Sequence, residues 1–259
     1  MLDIETAPLK AYVWRLWKEN VGVRQIERDW YMLCWAAKWL GDKEVQCDAL
    51  PYHKAAFKKD PEDDSRICKP IHKLMDEADV VVGQNSVRFD VPKLNARFLL
   101  NGMPPPSPFM QVDTLQIAKR VFGFSSNKLE HQAAQLGFGR KLDTDFGLWK
   151  ACMEGDLKAW EKMVKYNIHD VVLLEKVYLK YRPWAPNHPN FGLYVDWGVD
   201  SPKPLCPACG SDNIQRRGYR MTFVGRYQRF QCMACGRWIK GRTTTLDQVE
   251  RKALVSGVQ

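Results

Sequence analysis

The chain has 259 residues, of which 45% are hydrophobic and 12% aromatic, enough for one sizeable core and a small second module. No run of about 18 uncharged apolar residues occurs, and charges at Asp3 and Glu5 interrupt the start. We therefore expect neither a membrane span nor a secretory signal, and predict a soluble, intracellular (cytoplasmic) protein.

The net charge of +9 is concentrated in one short segment. Between residues 205 and 242 the sequence has eight basic residues and a single acidic residue, Asp212, a difference of +7. Basic charge gathered on a compact piece of chain favours a polyanionic partner such as nucleic acid.

The hydrophobic pattern predicts strands early in the chain and helices later. The predicted strands are a short run around Asp3 and Glu5, then 30–41, 43–50 and 80–85. The predicted helices are about 88–100, 113–121, 128–136 and 156–181, the last with Asp156 as its N-cap. This order indicates an α/β domain of about 180 residues.

Four acidic residues fall on or beside these elements. Asp3 and Glu5 lie two residues apart, which places both side chains on one side of a strand, where like charges raise each other's pKa. Asp90 follows an apolar strand, and Asp170 lies in the long helix, which is apolar on both sides and should be mostly buried. Unpaired, each buried charge costs several kcal/mol, and divalent metal ions bound by carboxylate oxygens offset that cost.

Three motifs carry these acids in order: "LDIET", "NSVRFD" and "YNIHD". They resemble the three exonuclease motifs of the DEDD superfamily, which has a ribonuclease H-like fold with a mixed sheet flanked by helices. The likeness covers about residues 1–180, includes the segment 113–137 between the motifs, and is strongest to the exonuclease domain of family B DNA polymerases and stand-alone relatives. The resemblance implies a 3′–5′ exonuclease that uses two Mg²⁺ or Mn²⁺ ions.

The resemblance also implies a role for each motif residue. Asp3, Glu5 and Asp170 would hold the first ion, and Asp3 would bridge to the second, which Asp90 would hold directly or through water. Tyr166 would orient the attacking water, which marks the tyrosine subclass. The histidine subclass has histidine where this chain has Lys165, and His169, about 100° around the helix from Asp170, is interpreted as a bystander.

Several neighbouring residues have two interpretations. Asn85 contacts the substrate strand or serves the start of a helix, and for Phe89 core packing is favoured over a base-stacking wedge. Asp113 is a fifth acid, for which a helix N-cap before Thr114 is the favoured role. The aromatic residues Tyr12, Trp14 and Trp17 could stack on a terminal base, but core packing is favoured for them too.

Only Met1 and Leu2 precede Asp3, whereas members of the family have several apolar residues there, which predicts either a weakly anchored first strand or a truncated start. The single cysteines Cys34, Cys47, Cys68 and Cys152 are expected to be reduced and partly buried.

The other four cysteines form two matched knuckles, "CPACG" and "CMACG", separated by 22 residues. Their ligands, Cys206, Cys209, Cys232 and Cys235, predict one structural Zn²⁺ in a closed tetrahedral site, in preference to a redox dithiol. A module of about 40 residues buries little surface, so metal binding should supply its folding free energy.

Between the knuckles, basic and aromatic residues alternate, in a pattern similar to zinc ribbons associated with transposases. Five arginines are predicted to contact phosphates: Arg216, Arg217, Arg220, Arg226 and Arg229. Together with Asn85, they are the predicted nucleic-acid-binding residues. Tyr219, Phe223 and Phe230 stack on unpaired bases or supply the small core of the ribbon.

The sequence thus predicts four parts: an exonuclease domain at 1–182, a proline-rich linker at 183–204, a zinc ribbon at 205–242 and a polar tail at 243–259. The predicted partner is nucleic acid, DNA in preference to RNA, with a single-stranded 3′ end. A replication or repair protein bound through the ribbon is a further expectation. The alternative interpretation is a non-catalytic nucleic-acid-binding or regulatory protein on a nuclease-like scaffold.

Overall fold

Residues 1–139, 144–194 and 203–255 are described by the structure, a computed structural model. The chain divides into two units, Met1–Tyr178 and Leu179–Gln259. Of the helices in these described ranges, none combines the length and the apolar character that a bilayer crossing requires. The four-part division stated above stays a prediction.

The first unit mixes strands and helices in the order of an α/β fold. Its strands are β1 (Leu2–Thr6), β2 (Lys10–Ala11), β3 (Ile26–Arg28), β4 (Met32–Ala37), β5 (Gln46–Ala49), β6 (Val80–Gly83) and β7 (Met110–Asp113). Its helices are α1 (Lys54–Lys59), α2 (Ser65–Asp76), α3 (Asp90–Leu100), α4 (Thr114–Val121), α5 (Leu129–Gln135), α6 (Phe146–Met153) and α7 (Leu157–Tyr181), the last of which ends in the second unit.

The strand β1 is anchored along its length, so the prediction of a weakly anchored first strand is wrong. It pairs antiparallel with β4, which in turn pairs antiparallel with β5. Leu2 and Ile4 are buried on one face of β1, because side chains alternate along a strand. Asp3 and Glu5 take the other face and stay partly exposed.

The parallel pair β6–β7 lies next to β1 at the end of β6. A Cβ atom built on Gly83 would lie 3.5 Å from the Leu2 carbonyl oxygen and only 2.4 Å from the Ser86 Cβ atom. Only glycine fits at this position, since real Cβ atoms do not approach other carbons so closely. The end of β6 is thereby brought close to the strand that carries Asp3 and Glu5.

The helix α7 is buried on both sides, as predicted. Residues from both of its apolar faces are less than 10% exposed, including Trp160, Met163, Val164, Val171, Leu173 and Val177. Burial of this kind, at about 25 cal/mol per Å² of apolar surface, is what fixes a helix in a core. Tyr166 and Asp170 of α7 are therefore held on an element that is packed on both sides.

A buried ion pair connects β4 to α3 through Asp64, the residue before α2. Asp64 is fully buried, accepts a hydrogen bond from the Met32 N–H at 2.8 Å and pairs with Arg97 of α3 at 2.6 Å. Because a buried carboxylate needs such partners, Asp64 has a structural role that its position in the sequence did not reveal.

The second unit contains a three-stranded antiparallel sheet. Its strands β8 (Ile214–Met221), β9 (Arg226–Cys232) and β10 (Trp238–Thr244) have the order β10–β9–β8, and α8 (Gln248–Ala253) follows. Arg237, which lies in the ribbon, donates hydrogen bonds to the carbonyl oxygens of Arg182, Pro183 and Ala185, at the start of the proline-rich segment. The described part of that segment is thus attached to the ribbon by hydrogen bonds.

The α/β class is confirmed, and the structure adds elements that the pattern did not predict. These are the hairpin strands β2 and β3, the helices α1, α2 and α6, the strand β7, and α8 in the predicted polar tail. The single cysteines are free thiols, with Cys34, Cys68 and Cys152 buried and Cys47 half-buried, as expected.

Candidate active site and metal centres

Asp3, Glu5 and Asp170 converge in the first unit. One carboxylate oxygen of each lies within 4.8 Å of the corresponding oxygens of the other two. β1 supplies the pair Asp3 and Glu5 on its outer face, and α7 supplies Asp170, which is only 3% exposed. Asp170 therefore shares one site with two acids that precede it by at least 165 residues in sequence.

Two further residues of the "YNIHD" motif support this group. The Asn167 amide, 1% exposed, donates from Nδ2 to Asp3 Oδ2 at 2.6 Å. Tyr166 is also buried, and its ring packs edge-on against Trp149 with the ring centroids 5.9 Å apart. The helix thus orients the Asp3 carboxylate and fixes the tyrosine ring beside it.

Asp90 lies next to the group but outside it. Its Oδ1 accepts a hydrogen bond from the Ile4 N–H at 3.1 Å, between the two acids of β1. Burial raises the pKa of Asp90 to about 7, against the lowering effect of the Ile4 and Asp90 N–H groups, and the charge of Asp113 raises it further. Asp90 therefore positions the backbone of β1; whether it also holds a second ion stays a prediction.

Asp113 is the N-cap of α4, as the favoured interpretation stated. Its carboxylate accepts from the Leu115 and Gln116 N–H groups at 2.9 and 3.4 Å. It also accepts from the N–H of Asn85 at 2.9 Å, and Asn85 has a positive φ of 64°. One carboxylate thereby caps a helix and holds the turn that presents the Asn85 side chain.

The acidic group opens into a cleft of about 600 Å³ in the first unit. Asp3, Tyr166 and Asp170 lie on its wall together with Asn85. Its other lining residues, which the sequence analysis did not single out, are Gln84, Leu115, Asn127, Lys128, Leu129, Glu130 and Thr144. Polar amides, a lysine and carboxylates around an open cleft suit a ligand that carries both charge and hydrogen-bonding groups.

Of the three other residues considered near this site, Phe89, Lys165 and His169, only Phe89 differs from its prediction. Phe89 is 38% exposed, so the prediction of core packing is wrong for it; its ring precedes α3 and projects beyond the core. His169 is half-buried and Lys165 is exposed, and neither lines the cleft.

The four knuckle cysteines also converge, in the second unit. Their sulfur atoms lie within 4.8 Å of one another, with Cys206 to Cys235 at 3.6 Å and Cys209 to Cys232 at 3.7 Å. A tetrahedral zinc site with Zn–S bonds of about 2.3 Å places its sulfurs about 3.8 Å apart. The cluster thus has the donor set and the spacing of a closed zinc site.

Each knuckle is built on a glycine that follows its second cysteine. Gly210 and Gly236 have φ values of 76° and 82°, a left-handed conformation that glycine adopts without strain. Their N–H groups donate to the carbonyl oxygens of Cys206 and Cys232 at 2.8 and 2.9 Å. These turns point both cysteines of a knuckle at the same centre.

The predicted phosphate-binding arginines have unequal surroundings. Arg216, Arg217 and Arg220 are exposed on β8. Arg226 pairs with Glu250 at 3.7 Å, and Arg229 donates from Nε to the Arg217 carbonyl oxygen at 2.8 Å. The first three are therefore more available to a ligand than the last two.

The face of the ribbon sheet has basic and aromatic side chains in contact. The Arg229 guanidinium lies 5.0 Å from the centre of the Trp238 ring, and Lys240 Nζ lies 4.2 Å from that of Tyr227. Arg220, Arg229, Trp238, Ile239 and Lys240 line an open groove of about 460 Å³. The sequence analysis missed Trp238 and Lys240, although both follow the second knuckle in the same basic-aromatic pattern.

The aromatic residues between the knuckles contribute little to the ribbon core. Tyr219 is 51% exposed, Phe223 is fully exposed and Phe230 is half-buried. The small core consists instead of the cysteines with Ala208, Ile214 and Ile239. A core of this size agrees with a module whose folding depends on bound metal.

Comparison with known proteins gives a family for the first unit. A comparison with curated proteins finds no match. The model of the RNase H superfamily, whose nucleases use divalent metal ions and generally hydrolyse nucleic acids, matches residues 39–181, a span that contains Asp90, Tyr166 and Asp170. Since this match extends over more than half of the chain and agrees with the α/β fold, the protein belongs to the RNase H superfamily.

Proposed function

We propose that the protein is a metal-dependent 3′–5′ exonuclease of the DEDD type, tyrosine subclass, acting on single-stranded 3′ ends of nucleic acid, with DNA as the preferred substrate. The observation that carries the proposal is the convergence of Asp3, Glu5 and Asp170, two of which, Asp3 and Asp170, line an open cleft together with Tyr166. The family supplies the coarser activity, nucleic-acid hydrolysis, and this arrangement supports the specific one.

The donor set fits a hard divalent cation. Mg²⁺ prefers carboxylate oxygens at about 2.1 Å, so oxygens on opposite sides of one ion lie about 4.2 Å apart, a separation compatible with oxygens that lie within 4.8 Å of one another. We propose that Asp3, Glu5 and Asp170 hold one Mg²⁺ or Mn²⁺ ion, and that Asp90 holds a second, directly or through water. When bound, such ions activate water and stabilise charge that develops on the phosphodiester oxygens.

The residues of the chain would position the reacting groups. Tyr166 lines the cleft and packs against Trp149, and its hydroxyl would orient the attacking water relative to the terminal phosphodiester. Asn167 keeps the Asp3 carboxylate in one orientation through its 2.6 Å hydrogen bond. Asn85, presented by a turn that Asp113 holds, would donate to the substrate strand.

The ribbon would hold a structural Zn²⁺ and bind nucleic acid. Its exposed arginines Arg216, Arg217 and Arg220 suit phosphates, and Trp238 in the groove of the sheet suits an unpaired base. We further propose that Arg226 and Arg229 contribute long-range attraction, and that the ribbon is the surface for a replication or repair protein.

The test is degradation of a 5′-labelled single strand by the full chain with Mg²⁺ or Mn²⁺, with DNA and RNA side by side. We expect a ladder that shortens from the 3′ end and releases nucleoside monophosphates. Asp3→Asn should reduce the rate at least about 100-fold, because one ligand of the proposed ion loses its charge.

A matched control is Glu154→Gln, which removes an exposed carboxylate at the end of α6 and should degrade the strand at the wild-type rate. Wild-type protein that binds the strand without shortening it would support the non-catalytic alternative. An Asp3→Asn protein as active as wild type would refute the assignment of the acidic site.

A further inference from the structure

A hairpin of residues 10–28 extends the strand pair that carries the acidic site. β1 pairs with β4, Ala7 N–H donates to the Tyr31 carbonyl oxygen at 2.9 Å, and the pairing continues as β2 with β3. Trp14 in the hairpin loop is nine positions after Glu5, a span of at most about 32 Å. The loop is therefore within reach of a strand that occupies the cleft.

The hairpin loop exposes large apolar side chains, so the favoured prediction that they pack in the core is wrong. Trp14, Trp17 and Leu16 are 93%, 80% and 87% exposed. Exposed apolar groups in such number on one loop are typical of a binding surface.

The loop has a defined conformation despite this exposure. The side chain of Gln25 donates to the Tyr12 carbonyl oxygen at 3.0 Å and accepts from the Gly22 N–H at 2.7 Å. The Tyr12 N–H in turn donates to the Gln25 carbonyl oxygen at 2.9 Å. These hydrogen bonds connect the two sides of the loop through backbone and side-chain groups of Tyr12, Gly22 and Gln25.

The same loop is basic. The hairpin contains five basic residues and two acidic ones, Glu19 and Glu27, a difference of +3. The acids pair with Arg15 at 3.6 Å and with Lys10 at 3.1 Å. Within the described ranges, Lys18 and Arg24 make no ion pair, which leaves two cations beside the exposed tryptophans.

A second basic-aromatic contact joins Trp30, two residues after the hairpin, to α3. Trp30 follows the hairpin, and Lys93 of α3 lies with its Nζ 3.7 Å from the centre of the Trp30 ring and 5.1 Å from that of Phe89. Phe89 is four residues from Asn85, which lines the cleft. Aromatic rings and cations therefore occur together both in the hairpin loop and around Lys93.

We propose that the hairpin of residues 10–28 binds single-stranded nucleic acid, stacking unpaired bases on Trp14 and Trp17 while Lys18 and Arg24 contact phosphates. This inference rests on the proposed exonuclease function and adds the path of the strand that leaves the acidic site. A protein partner would suit the apolar rings as well, but the positive charge interleaved with them favours a polyanion.

The first measurement is the binding of a 20-residue oligothymidylate to the full chain in magnesium-free buffer, followed by fluorescence anisotropy. Trp14→Ser/Trp17→Ser should raise the Kd at least about 30-fold, since stacking on two rings, at about 1 kcal/mol or more each, is lost. Leu99→Ser/Leu100→Ser is the matched control, because it removes two exposed apolar side chains from α3 of the same unit, and its Kd should equal that of wild type.

The second measurement locates the strand without reference to the ribbon. Ultraviolet cross-linking of the same oligonucleotide to wild-type protein, followed by trypsin and mass spectrometry, should give nucleotide adducts on residues 11–15 and 16–18. Absence of these adducts together with an unchanged Kd in the tryptophan variant overturns the proposal. A wild-type dimer that the variant loses, without adducts, would assign the loop to contact between copies and overturn it equally.

Both measurements are made without hydrolysis, so they separate the two proposals. Adducts on residues 11–18 in a protein that never shortens the strand would refute the exonuclease and keep the hairpin site. Strand degradation without adducts or a change in Kd would do the reverse.

Discussion

The buried carboxylates of this protein differ in their partners more than in their burial. Asp64 accepts from a backbone N–H and pairs with Arg97, and Asp113 accepts from the backbone N–H groups of a helix start and a turn. Asp3, Glu5 and Asp170 instead turn their carboxylates towards one another. Mutual approach of like charges, which costs free energy without a cation, is what distinguishes the candidate metal ligands.

The hydrogen bond from Asn167 to Asp3 leads to a prediction about a positioning residue. Asn167→Leu keeps the size of the side chain but removes the donor at 2.6 Å, so the Asp3 carboxylate loses its fixed orientation. We expect the Mg²⁺ concentration for half-maximal activity to rise about 10- to 100-fold, as is typical when a partner of a metal ligand is lost. Metal titration of the strand-degradation rate measures this shift.

For comparison, Asn95→Leu changes an exposed asparagine on α3 and should leave the metal titration as in wild type. If Asn167→Leu lowers the maximal rate with no shift in the metal dependence, then Asn167 does not act through Asp3.

Individual residues could be predicted from the sequence where the argument is local. Asp3 and Glu5 share a face because strand side chains alternate, and Asp113 caps a helix because it directly precedes one. The position of Asp90 could not be predicted, since its partner Ile4 lies 86 residues away. The role of Asn167 could have been predicted, because Asn167 lies three residues before Asp170 and therefore on the same side of the helix.

At the scale of elements, the turn after β6 is the most constrained part of the first unit. Gly83 approaches Ser86 too closely for any side chain, and Asn85 adopts a positive φ two residues later. These features bring β6 against β1 and orient Asn85 into the cleft. The turn therefore couples the packing of two strands to the shape of the site.

This close approach makes Gly83→Ala destabilising. The new methyl group would lie 2.4 Å from the Ser86 Cβ atom, so we expect the free energy of unfolding to fall by about 1–3 kcal/mol. Urea unfolding measures the change. Removing the opposing atom in Gly83→Ala/Ser86→Gly should restore part of the loss, and a double variant less stable than the sum of the single variants would show that the clash is not the cause.

The strands that the pattern missed share a physical reason. β7 has only four residues and two exposed side chains, so neither an apolar run nor a clear alternation marks it. β2 and β3 are shorter still, and the aromatic loop between them has the composition of a core segment. The sequence shows that these side chains are hydrophobic. Whether they are buried depends on whether other elements of the fold pack over the loop.

At the scale of the molecule, the two units are stabilised by different means. The first has an extended apolar core that includes Met32, Leu94 and Met163. The core of the second centres on four cysteines with a few small apolar residues. Loss of metal should therefore affect the two units unequally.

Zinc removal tests this difference. We expect the full chain to contain one zinc ion, and a strong zinc chelator to abolish amide-exchange protection in β8, β9 and β10 while β1 and α7 keep theirs. Hydrogen exchange with mass spectrometry follows both units in one sample. Cys206→Ser should purify without zinc, and Cys47→Ser, a half-buried thiol of the first unit, should retain it. Full protection of the ribbon strands in zinc-free protein would contradict the prediction.

The placement of the acids also has a consequence for biosynthesis. Asp3 and its partner Asn167 are 164 residues apart, so the acidic group is assembled from the first strand and the last helix of the first unit. A ribosome has to translate nearly all of that unit before α7 can dock. The emerging polypeptide consequently lacks a complete acidic site through most of its synthesis.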